Sequence, residues 1–319
     1  MTERTIIALH GFTAEQEAAI REAAPGWNVR FGRPKDFTPA ELQEAEILCG
    51  WSPDYTEHLL RQPSKLRWVQ LWSSGADYMP LDQLEQRGIL LTDACHVHPV
   101  PMAETAIGML LMLSRNLHHA VRRQSEAVWK SSPVYTELRG RTLAVIGAGA
   151  IGSEIARLAE AFGMQVIGVR RSGLPAPHVT DMYKPAQLDE VLALSDAVVN
   201  VLPLTAETEG LFDVGRFAAM KQGAWFVNVG RGKSVRTEAL MEALRSGHLG
   251  GAGLDVFETE PLPPEHPLWA MDNVILTPHI GGDTDRLKER VAELFSANLR
   301  SYVEHGKPSM NLMDYKLGY

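Results

Sequence analysis

Short apolar runs rich in β-branched residues alternate with amphipathic stretches along most of the chain, and this alternation predicts its elements. A first series of strands is predicted at Thr5–Leu9, 28–31, 47–49, 68–71 and 89–91, with a helix at Ala14–Ala23. After a polar stretch at 122–140, a second series is predicted at Thr142–Ile146, 166–169, 197–201, 225–229, 253–255 and Val274–Leu276. Strands that alternate with helices are typical of parallel sheets with crossover connections, so the pattern predicts an α/β protein.

Four longer helices are predicted as well, at 102–117, 151–162, 237–246 and 285–305. The first of them is apolar on nearly every side, and such a helix has to be covered by other parts of the protein. A helix in a domain core and a helix at an interface between domains or subunits would both meet this requirement. The pattern alone leaves the two interpretations open.

Composition and charge exclude several classes of protein. The 319 residues are 45% hydrophobic and 22% charged, which is typical of a folded chain of about two domains. Acidic residues outnumber basic ones by 39 to 31, and the net charge of −8 offers no domain-wide basic surface for a nucleic acid. Two distant cysteines, Cys49 and Cys95, are too few for a disulfide framework or a structural zinc site. We expect both to be small buried side chains, and we expect no metal.

The sequence also carries no pattern for membrane insertion. The N-terminal region lacks a cleavable signal pattern. The longest apolar helical segment, 106–113, is far shorter than the roughly 20 residues that cross a bilayer. We therefore expect a cytoplasmic protein with neither a membrane nor a nucleic acid as partner.

The most specific local motif is the run Gly147-Ala148-Gly149-Ala150-Ile151-Gly152, which follows a predicted strand and opens a predicted helix. Its three glycines permit a tight turn, close approach of the backbone to a pyrophosphate, and close packing of the helix on the strand. Free N–H groups at the start of the helix would bind the pyrophosphate. Because the strand and the helix stand on the correct sides, the motif predicts a dinucleotide site, with a methyltransferase-type nucleotide loop as the competing interpretation.

The end of the next predicted strand indicates which dinucleotide is bound. A site for NAD usually carries an acidic residue there, which hydrogen-bonds the ribose 2′-hydroxyl. Here the strand is followed by Arg170, Arg171 and Ser172. Two guanidinium groups and a hydroxyl would bind a 2′-phosphate, whereas an acid would repel it. The sequence therefore predicts NADP(H) as the preferred cofactor; the alternative is NAD(H), with both arginines in solvent.

Three further polar segments follow strands of the second series. They contain Arg231 between two glycines, the acids Asp255, Glu258 and Glu260, and His279. In open α/β sheets, ligands bind at the carboxyl ends of the strands, so these side chains should surround one crevice. An arginine can hold a carboxylate by two charge-assisted hydrogen bonds, and a histidine beside a carboxylate can exchange a proton near neutral pH.

Taken in order, these motifs resemble those of the D-isomer-specific 2-hydroxyacid dehydrogenases, a family that includes glyoxylate/hydroxypyruvate reductases and phosphoglycerate dehydrogenases. The resemblance spans nearly the whole chain. Besides the glycine motif, it rests on the runs 72–77 (WSSGAD), 98–104 (HPVPMAE), 203–208 (PLTAET), 230–232 (GRG), 255–261 (DVFETEP), 277–279 (TPH) and 311–319 (NLMDYKLGY). Several motifs in the family's order are far more specific than any one of them.

The resemblance implies catalytic roles for three residues. Arg231 would bind the carboxylate and carbonyl of a 2-keto acid, and His279 would protonate the carbonyl oxygen. Glu260 would hydrogen-bond His279. We prefer Glu260 to the neighbouring Glu258 because it directly precedes a proline, as in the family motif.

The resemblance also implies which residues contact the substrate and the cofactor. The backbone N–H groups of Ser74 and Gly75 would hold the substrate carboxylate, and Asp255 would meet the nicotinamide carboxamide. The cofactor residues expected besides the segment 170–172 are Gly147, Gly149, Ala150, Ile151, Gly152, Pro203, Thr208, Val229, Asp255 and Gly282.

The fold implied by the resemblance consists of two Rossmann-like, doubly wound parallel-sheet domains with a cleft between them. A substrate domain would comprise residues 1–101 and 284–319, and a dinucleotide-binding domain, 102–283, would be inserted into it. The apolar helix 102–117 would then belong to a dimer interface, and we expect a homodimer.

The predicted activity is the NAD(P)H-dependent reduction of a small 2-keto acid, such as glyoxylate or hydroxypyruvate, to the D-2-hydroxy acid. Phosphoglycerate oxidation is the alternative within the family. It would require extra cations near the 72–77 loop, where only Lys65 and Arg67 lie close in sequence. A non-catalytic, dinucleotide-sensing protein similar to the family's corepressors is the alternative from another class; it would bind the cofactor without turning over a keto acid.

Overall fold

The computed structural model describes residues 4–9, 11–131 and 134–316. Within these ranges the β-strands are β1 (Thr5–Leu9), β2 (Asn28–Gly32), β3 (Ala45–Cys49), β4 (Trp68–Gln70), β5 (Leu90–Thr92), β6 (Thr142–Ile146), β7 (Gln165–Val169), β8 (Asp181–Tyr183), β9 (Ala197–Asn200), β10 (Ala224–Asn228), β11 (Leu249–Leu254) and β12 (Val274–Leu276). The α-helices are α1 (Ala14–Ala23), α2 (Pro39–Glu44), α3 (Leu81–Gln86), α4 (Pro99–Ser114), α5 (Leu117–Ser125), α6 (Ala150–Ala161), α7 (Leu188–Leu194), α8 (Val214–Ala219), α9 (Thr237–Arg245) and α10 (Leu287–His305). The last three residues of the run 311–319 lie outside the described residues.

The chain forms two compact units. The first comprises Met1–His98 with Thr284–Tyr319, and the second comprises Pro99–Asp283.

The first unit is built on a parallel sheet in the order β2-β1-β3-β4-β5. Both faces of this sheet are covered. Ile6 and Ala8 of β1 pack into one apolar cluster together with residues of α1 and α10, whereas Ile7 and Leu9 pack into another on the opposite face. Because successive residues of a strand point to opposite faces, a strand covered on both sides has to be apolar throughout.

The second unit is built on a parallel sheet in the order β12-β11-β10-β9-β6-β7-β8. The strand order reverses at β6, which lies between β9 and β7. Ligands of open α/β sheets bind outside the carboxyl ends of the strands at such a reversal. The prediction of two α/β units, each with a parallel sheet, is confirmed.

The apolar helix predicted at 102–117 is α4, and it is a core helix of the second unit. Its buried side chains, among them Ala106 and Leu110, pack in the apolar cluster that also includes residues of α6. The helix ends three residues before the predicted end, because Asn116 adopts the left-handed conformation with φ +51° and α5 begins after it. The expected role of this helix in a dimer stays a prediction.

Strand β11 begins at Leu249, four residues earlier than predicted, because its glycines weaken the strand pattern in the sequence. The packing of α4 accounts for two of these glycines. A Cβ on Gly251 would lie 2.8 Å from a Leu113 methyl, and one on Gly253 would lie 2.8 Å from Met109 Cβ.

The two cysteines differ in burial. Cys49 at the end of β3 is fully buried as predicted, but Cys95 is only partly buried. The prediction for Cys95 was wrong because the residue lies in the turn after β5 rather than inside a strand. Burial nevertheless raises the pKa of both thiols to about 12.

Candidate active site

His279 and Glu260 form a hydrogen-bonded pair in the second unit. His279 Nδ1 lies 2.7 Å from Glu260 Oε2, and Glu260 Oε1 accepts a hydrogen bond of 2.8 Å from the backbone N–H of Phe257. A carboxylate only accepts, so Nδ1 carries a proton and the tautomer of the ring is determined. Nε2 is therefore the nitrogen that can exchange a proton with a ligand.

The backbone at His279 is strained. Its φ of +54° lies in the left-handed region, which costs a non-glycine residue on the order of 1–3 kcal/mol. The His279 N–H donates to the carbonyls of Asp255, at 2.9 Å, and Thr277, at 3.0 Å. These hydrogen bonds hold the turn in a conformation that it would not adopt by itself.

The buried carboxylate of Asp255 holds the same turn. Oδ1 accepts hydrogen bonds from Thr277 Oγ1 at 2.6 Å and from Ile280 N at 2.9 Å, and Oδ2 accepts one from Gly281 N at 2.9 Å. The sequence separates Asp255 from the turn by more than twenty residues, and only the pairing of β11 with β12 brings them together. The role expected for Asp255 at the nicotinamide stays a prediction.

Glu258 has a different hydrogen-bond partner from Glu260. Its Oε2 accepts a hydrogen bond of 2.8 Å from the backbone N–H of Thr237, the first residue of α9. A carboxylate at a helix N-terminus satisfies a free N–H group and interacts favourably with the helix dipole. The two glutamates of the run 255–261 are thus distinguished by their hydrogen-bond partners.

A buried polar network holds the backbone turn that carries Arg231. Asn228 Oδ1 accepts hydrogen bonds from Asn200 Nδ2 at 3.0 Å and from Gly230 N at 3.1 Å, and Ser234 Oγ donates to the Arg231 carbonyl at 2.6 Å. Asn200, Asn228 and Ser234 are all buried. Sequence reasoning missed them, although polar residues at the ends of apolar strands were an available signal.

Gly232 brings the Arg231 turn against the segment that carries Glu260. A Cβ on Gly232 would lie 1.9 Å from the carbonyl carbon and oxygen of Phe257. No side chain fits between the two backbones. The glycine therefore keeps the Arg231 turn and the Glu260 segment in direct contact.

The glycine motif forms the turn between β6 and α6. Gly147 has a φ of +108°, and a Cβ on Gly152 would lie 2.3 Å from the Gly147 carbonyl oxygen. A Cβ on Gly149 would have no described neighbour within 4 Å, so there is space beside this residue. Ala150 and Ile151 begin α6, where N–H groups have no partner within the helix. This cradle fits the pyrophosphate of a dinucleotide.

Arg170, Arg171 and Ser172 follow β7 at the same edge of the sheet. The Arg170 N–H donates to the Tyr183 carbonyl at 3.1 Å, and Ser172 Oγ accepts from Leu174 N at 3.3 Å. Tyr183 ends β8, a short edge strand that the sequence pattern did not predict. The described turn presents two cations and a hydroxyl, which fit the 2′-phosphate of NADP(H).

The other expected cofactor residues follow strands of the second sheet or close a turn. Thr208 Oγ1 donates to the Pro203 carbonyl at 2.7 Å and accepts from Thr205 N at 2.8 Å, which closes the turn 203–208. Val229 follows β10 and is buried, whereas Gly282 follows the His279 turn and is partly buried.

Ser74 and Gly75 lie in the first unit, in the loop after β4. The Ser73 hydroxyl is 2.8 Å from the Gly75 carbonyl and 2.9 Å from Tyr78 Oη. Ser74 Oγ is buried without a hydrogen-bond partner in the described chain. An unpaired buried hydroxyl is unfavourable, so a polar ligand at this loop would satisfy it.

The described ranges contain neither a metal-binding cluster of side chains nor a helix that could span a membrane. Residues 4–9, 11–131 and 134–316 contain no group of three or more His, Cys, Asp or Glu side chains arranged to hold a metal ion. No helix in these ranges combines the length and the apolar character that a membrane crossing requires.

Comparison with known proteins assigns the family. The family model for the NAD binding domain of the D-isomer specific 2-hydroxyacid dehydrogenases matches residues 107–281, more than half of the chain. The chain belongs to this family. As a D-isomer specific 2-hydroxyacid dehydrogenase it is an oxidoreductase that acts on CH–OH groups and uses a nicotinamide dinucleotide.

Curated relatives support the membership in the 2-hydroxyacid dehydrogenase family. The chain is 37% identical over 246 residues to the glyoxylate reductase of Thermococcus onnurineus, an alignment that covers 75% of this chain and 73% of the relative. It is 36% identical over 260 residues to glyoxylate/hydroxypyruvate reductase B of Escherichia fergusonii, covering 80% of each.

Solved structures of 2-hydroxyacid dehydrogenases have the same fold. A D-isomer specific 2-hydroxyacid dehydrogenase family protein from Aeromonas salmonicida superposes with a TM-score of 0.86 at 36% identity, covering 98% of this chain and 100% of that one. The D-isomer specific 2-hydroxyacid dehydrogenase from Xanthobacter autotrophicus, solved in complex with NADPH and MES, superposes with a TM-score of 0.81 at 30% identity, covering 100% of both chains.

Proposed function

We propose that this 2-hydroxyacid dehydrogenase reduces small 2-keto acids, such as glyoxylate or hydroxypyruvate, to D-2-hydroxy acids, with NADPH preferred to NADH. The observation that carries the proposal is the 2.7 Å hydrogen bond between Glu260 and His279 Nδ1, which leaves Nε2 available for proton exchange. The names of the relatives support the substrate class, since both are glyoxylate reductases.

His279 is the general acid of this mechanism. NADPH, held by the turn 147–152 and by Arg170, Arg171 and Ser172, would supply the hydride for the carbonyl carbon. The charged imidazole of His279 gives its Nε2 proton to the carbonyl oxygen, which becomes the hydroxyl, and the ring ends neutral with the proton on Nδ1. The Glu260 carboxylate stabilises the charged ring before transfer and orients it throughout.

Arg231 and the loop of Ser74 and Gly75 bind the substrate. The Arg231 guanidinium donates to the carboxylate and the carbonyl oxygen, and it stabilises the negative charge that develops on that oxygen. The backbone N–H groups of Ser74 and Gly75 donate to the substrate carboxylate. These roles follow from the family motifs and from the chemistry of the groups.

The preference for NADPH rests on the segment Arg170, Arg171 and Ser172. Among the described residues, the three that follow β7 include no acid that would repel a 2′-phosphate. The NADPH-bound relative from Xanthobacter autotrophicus supports this cofactor.

The proposal is tested by the rate of cofactor oxidation, with NADPH and NADH in parallel, against glyoxylate, hydroxypyruvate, pyruvate and phenylpyruvate. We expect turnover of the smaller acids, faster with NADPH. Turnover with NADH alone would place Arg170 and Arg171 outside the cofactor site. Cofactor binding without any turnover would favour the dinucleotide sensor.

The His279→Gln variant tests the mechanism. We expect kcat to fall by about 10²–10⁴-fold, the usual contribution of a general acid, while the Kd of NADPH stays unchanged. A kcat like that of the wild type would refute the role of His279.

A further inference from the structure

The C-terminal segment 310–313 is attached to the first unit by fully buried side chains. Asn298 of α10 donates to the Met310 carbonyl at 3.1 Å and accepts from the Met310 N–H at 2.8 Å. Asn298 Nδ2 also lies 3.2 Å from the Oε1 of Gln70, the last residue of β4. Asn298 and Gln70 are both fully buried, so their polar groups depend on these partners.

Asn311 connects this segment to the chain after β5 at three points. Its Nδ2 donates to the Asp93 carbonyl at 3.1 Å, and its own carbonyl accepts from the Asp93 N–H at 3.2 Å. Its Oδ1 accepts a hydrogen bond of 2.5 Å from His96 Nδ1. Asn311 adopts a φ of +57°, a conformation that asparagine tolerates better than most residues. We call the chain that it contacts, residues 93–98, the bridging segment.

The bridging segment in turn holds the loop of Ser74 and Gly75. The Ala94 N–H donates to the Ser73 carbonyl at 2.9 Å, and His98 Nε2 donates to the Trp72 carbonyl at 3.0 Å. Gln70 Nε2 adds a hydrogen bond of 2.9 Å to the Asp93 carbonyl. Hydrogen bonds between described residues therefore connect the C-terminal segment to the loop through the bridging segment.

The hydrogen bond at Ser73 determines where the Ser74 N–H points. The Ser73 carbonyl and the Ser74 N–H belong to one planar, trans peptide group, so they point in opposite directions. Fixing the carbonyl against Ala94 thereby fixes the direction of the N–H. The same reasoning applies to the Trp72 carbonyl and the Ser73 N–H.

We propose that Asn311 is a positioning residue for substrate binding: through the bridging segment, it aligns the Ser74 N–H with the substrate carboxylate. This inference rests on the proposed function, because it requires the loop to bind a carboxylate. It predicts that the C-terminal segment, which contributes no group to the chemistry, sets the KM for the keto acid.

The test compares Asn311→Gly with Leu312→Ala. Glycine adopts the positive φ without strain and keeps the backbone hydrogen bond to Asp93, so this variant removes only the two side-chain contacts. Leu312 is the matched control, since its side chain is exposed and its backbone pairing with Thr92 is retained. We expect Asn311→Gly to raise the KM for glyoxylate and pyruvate by about tenfold, with kcat and the Kd of NADPH changed less than twofold. Leu312→Ala should match the wild type in all three.

An unchanged KM in Asn311→Gly, with an active wild type, would overturn this inference alone. A fall of kcat and cofactor affinity together with the rise in KM would also overturn it, because that is the result of a general loss of structure. If the wild type reduced no keto acid, the proposed function would fail and this inference with it.

Hydrogen exchange tests whether Asn311 holds the bridging segment, and it does not require turnover. In Asn311→Gly we expect faster exchange at the amides of Ala94 and Cys95 than in the wild type or in Leu312→Ala. Equal protection in all three proteins would show that Asn311 does not hold the bridging segment, and it would overturn the proposal.

Discussion

Of the two glutamates near His279, only one is hydrogen-bonded to it. Glu260 and Glu258 stand two positions apart and are chemically identical. One accepts from His279 Nδ1, and the other accepts from the first N–H of α9. A carboxylate beside imidazole stabilises its charged form, whereas a carboxylate at a helix N-terminus stabilises the helix.

This division predicts opposite results for two matched substitutions. Glu260→Gln should lower kcat by about 10–10²-fold, because a neutral amide stabilises the charged ring less than a carboxylate does. Glu258→Gln should leave kcat within about twofold and lower stability by roughly 0.5–1 kcal/mol, since only the interaction with α9 is weakened. Steady-state kinetics and thermal denaturation of both variants check this. A larger loss of kcat in Glu258→Gln would reverse the assignment.

At the scale of elements, the site depends on backbones that approach each other too closely for side chains. The Arg231 turn lies against the Glu260 segment at Gly232, and the His279 turn is held by Asp255 at the end of β11. The proposed catalytic groups of the second unit are therefore placed by strand ends and tight turns rather than by flexible side chains.

Gly232→Ala should damage both the fold and the site. The added methyl group cannot occupy a position 1.9 Å from Phe257, so the Arg231 turn and the Glu260 segment must separate. We expect a loss of at least ~2 kcal/mol in the free energy of unfolding and a fall in kcat/KM of more than about tenfold.

Gly108→Ala in α4 is the control for that experiment. Its Cβ would have no described neighbour within 4 Å, and alanine is the better helix former, so it should gain about 0.5–1 kcal/mol. Denaturant titrations of both variants make the comparison. A Gly232→Ala protein as stable as the wild type would show that the contact with Phe257 yields easily.

At the scale of the molecule, the second unit carries the cofactor cradle, and cofactor binding should stabilise the folded protein. A ligand present at 100 times its Kd adds about 2.7 kcal/mol to the stability. For a unit of this size that corresponds to roughly 5–10 °C in Tm.

We expect NADPH to raise the Tm by several degrees more than NADH at the same concentration. The double substitution of Arg170 and Arg171 by Ala should reduce the NADPH shift to that of NADH, because the 2′-phosphate loses its cations. Thermal shift measurements of the two proteins with each cofactor test this prediction. Equal shifts in the wild type would contradict the preference for NADPH.

Much of this molecule was predictable from the sequence for a physical reason. A parallel strand buried on both faces is a continuous apolar run, so β1 and β6 can be recognised in the sequence. A phosphate-binding turn needs glycines at set intervals, so the run 147–152 can be recognised as well. The acid and the histidine of the pair were recognised because they stand in ordered motifs.

Other features required the tertiary structure, because they depend on residues far apart in the chain. Edge strand β8 is too short to show a pattern. The core position of α4 depends on its packing against β11, which is distant in the sequence. The partners of Glu258, of Asp255 and of the Asn228 network could not be predicted, since a hydrogen bond depends on an approach within about 3 Å and a direction.

The sequence by itself therefore determined most of the elements, the α/β class and the types of group available for chemistry, because these depend on local periodicity and on residue identity. The tertiary structure decided which groups meet. The pairing of β11 with β12, the contact at Gly232 and the attachment of Asn311 to the bridging segment each join residues that lie 20 to more than 200 positions apart. Their geometry follows from the register and packing of whole elements, which no local pattern encodes.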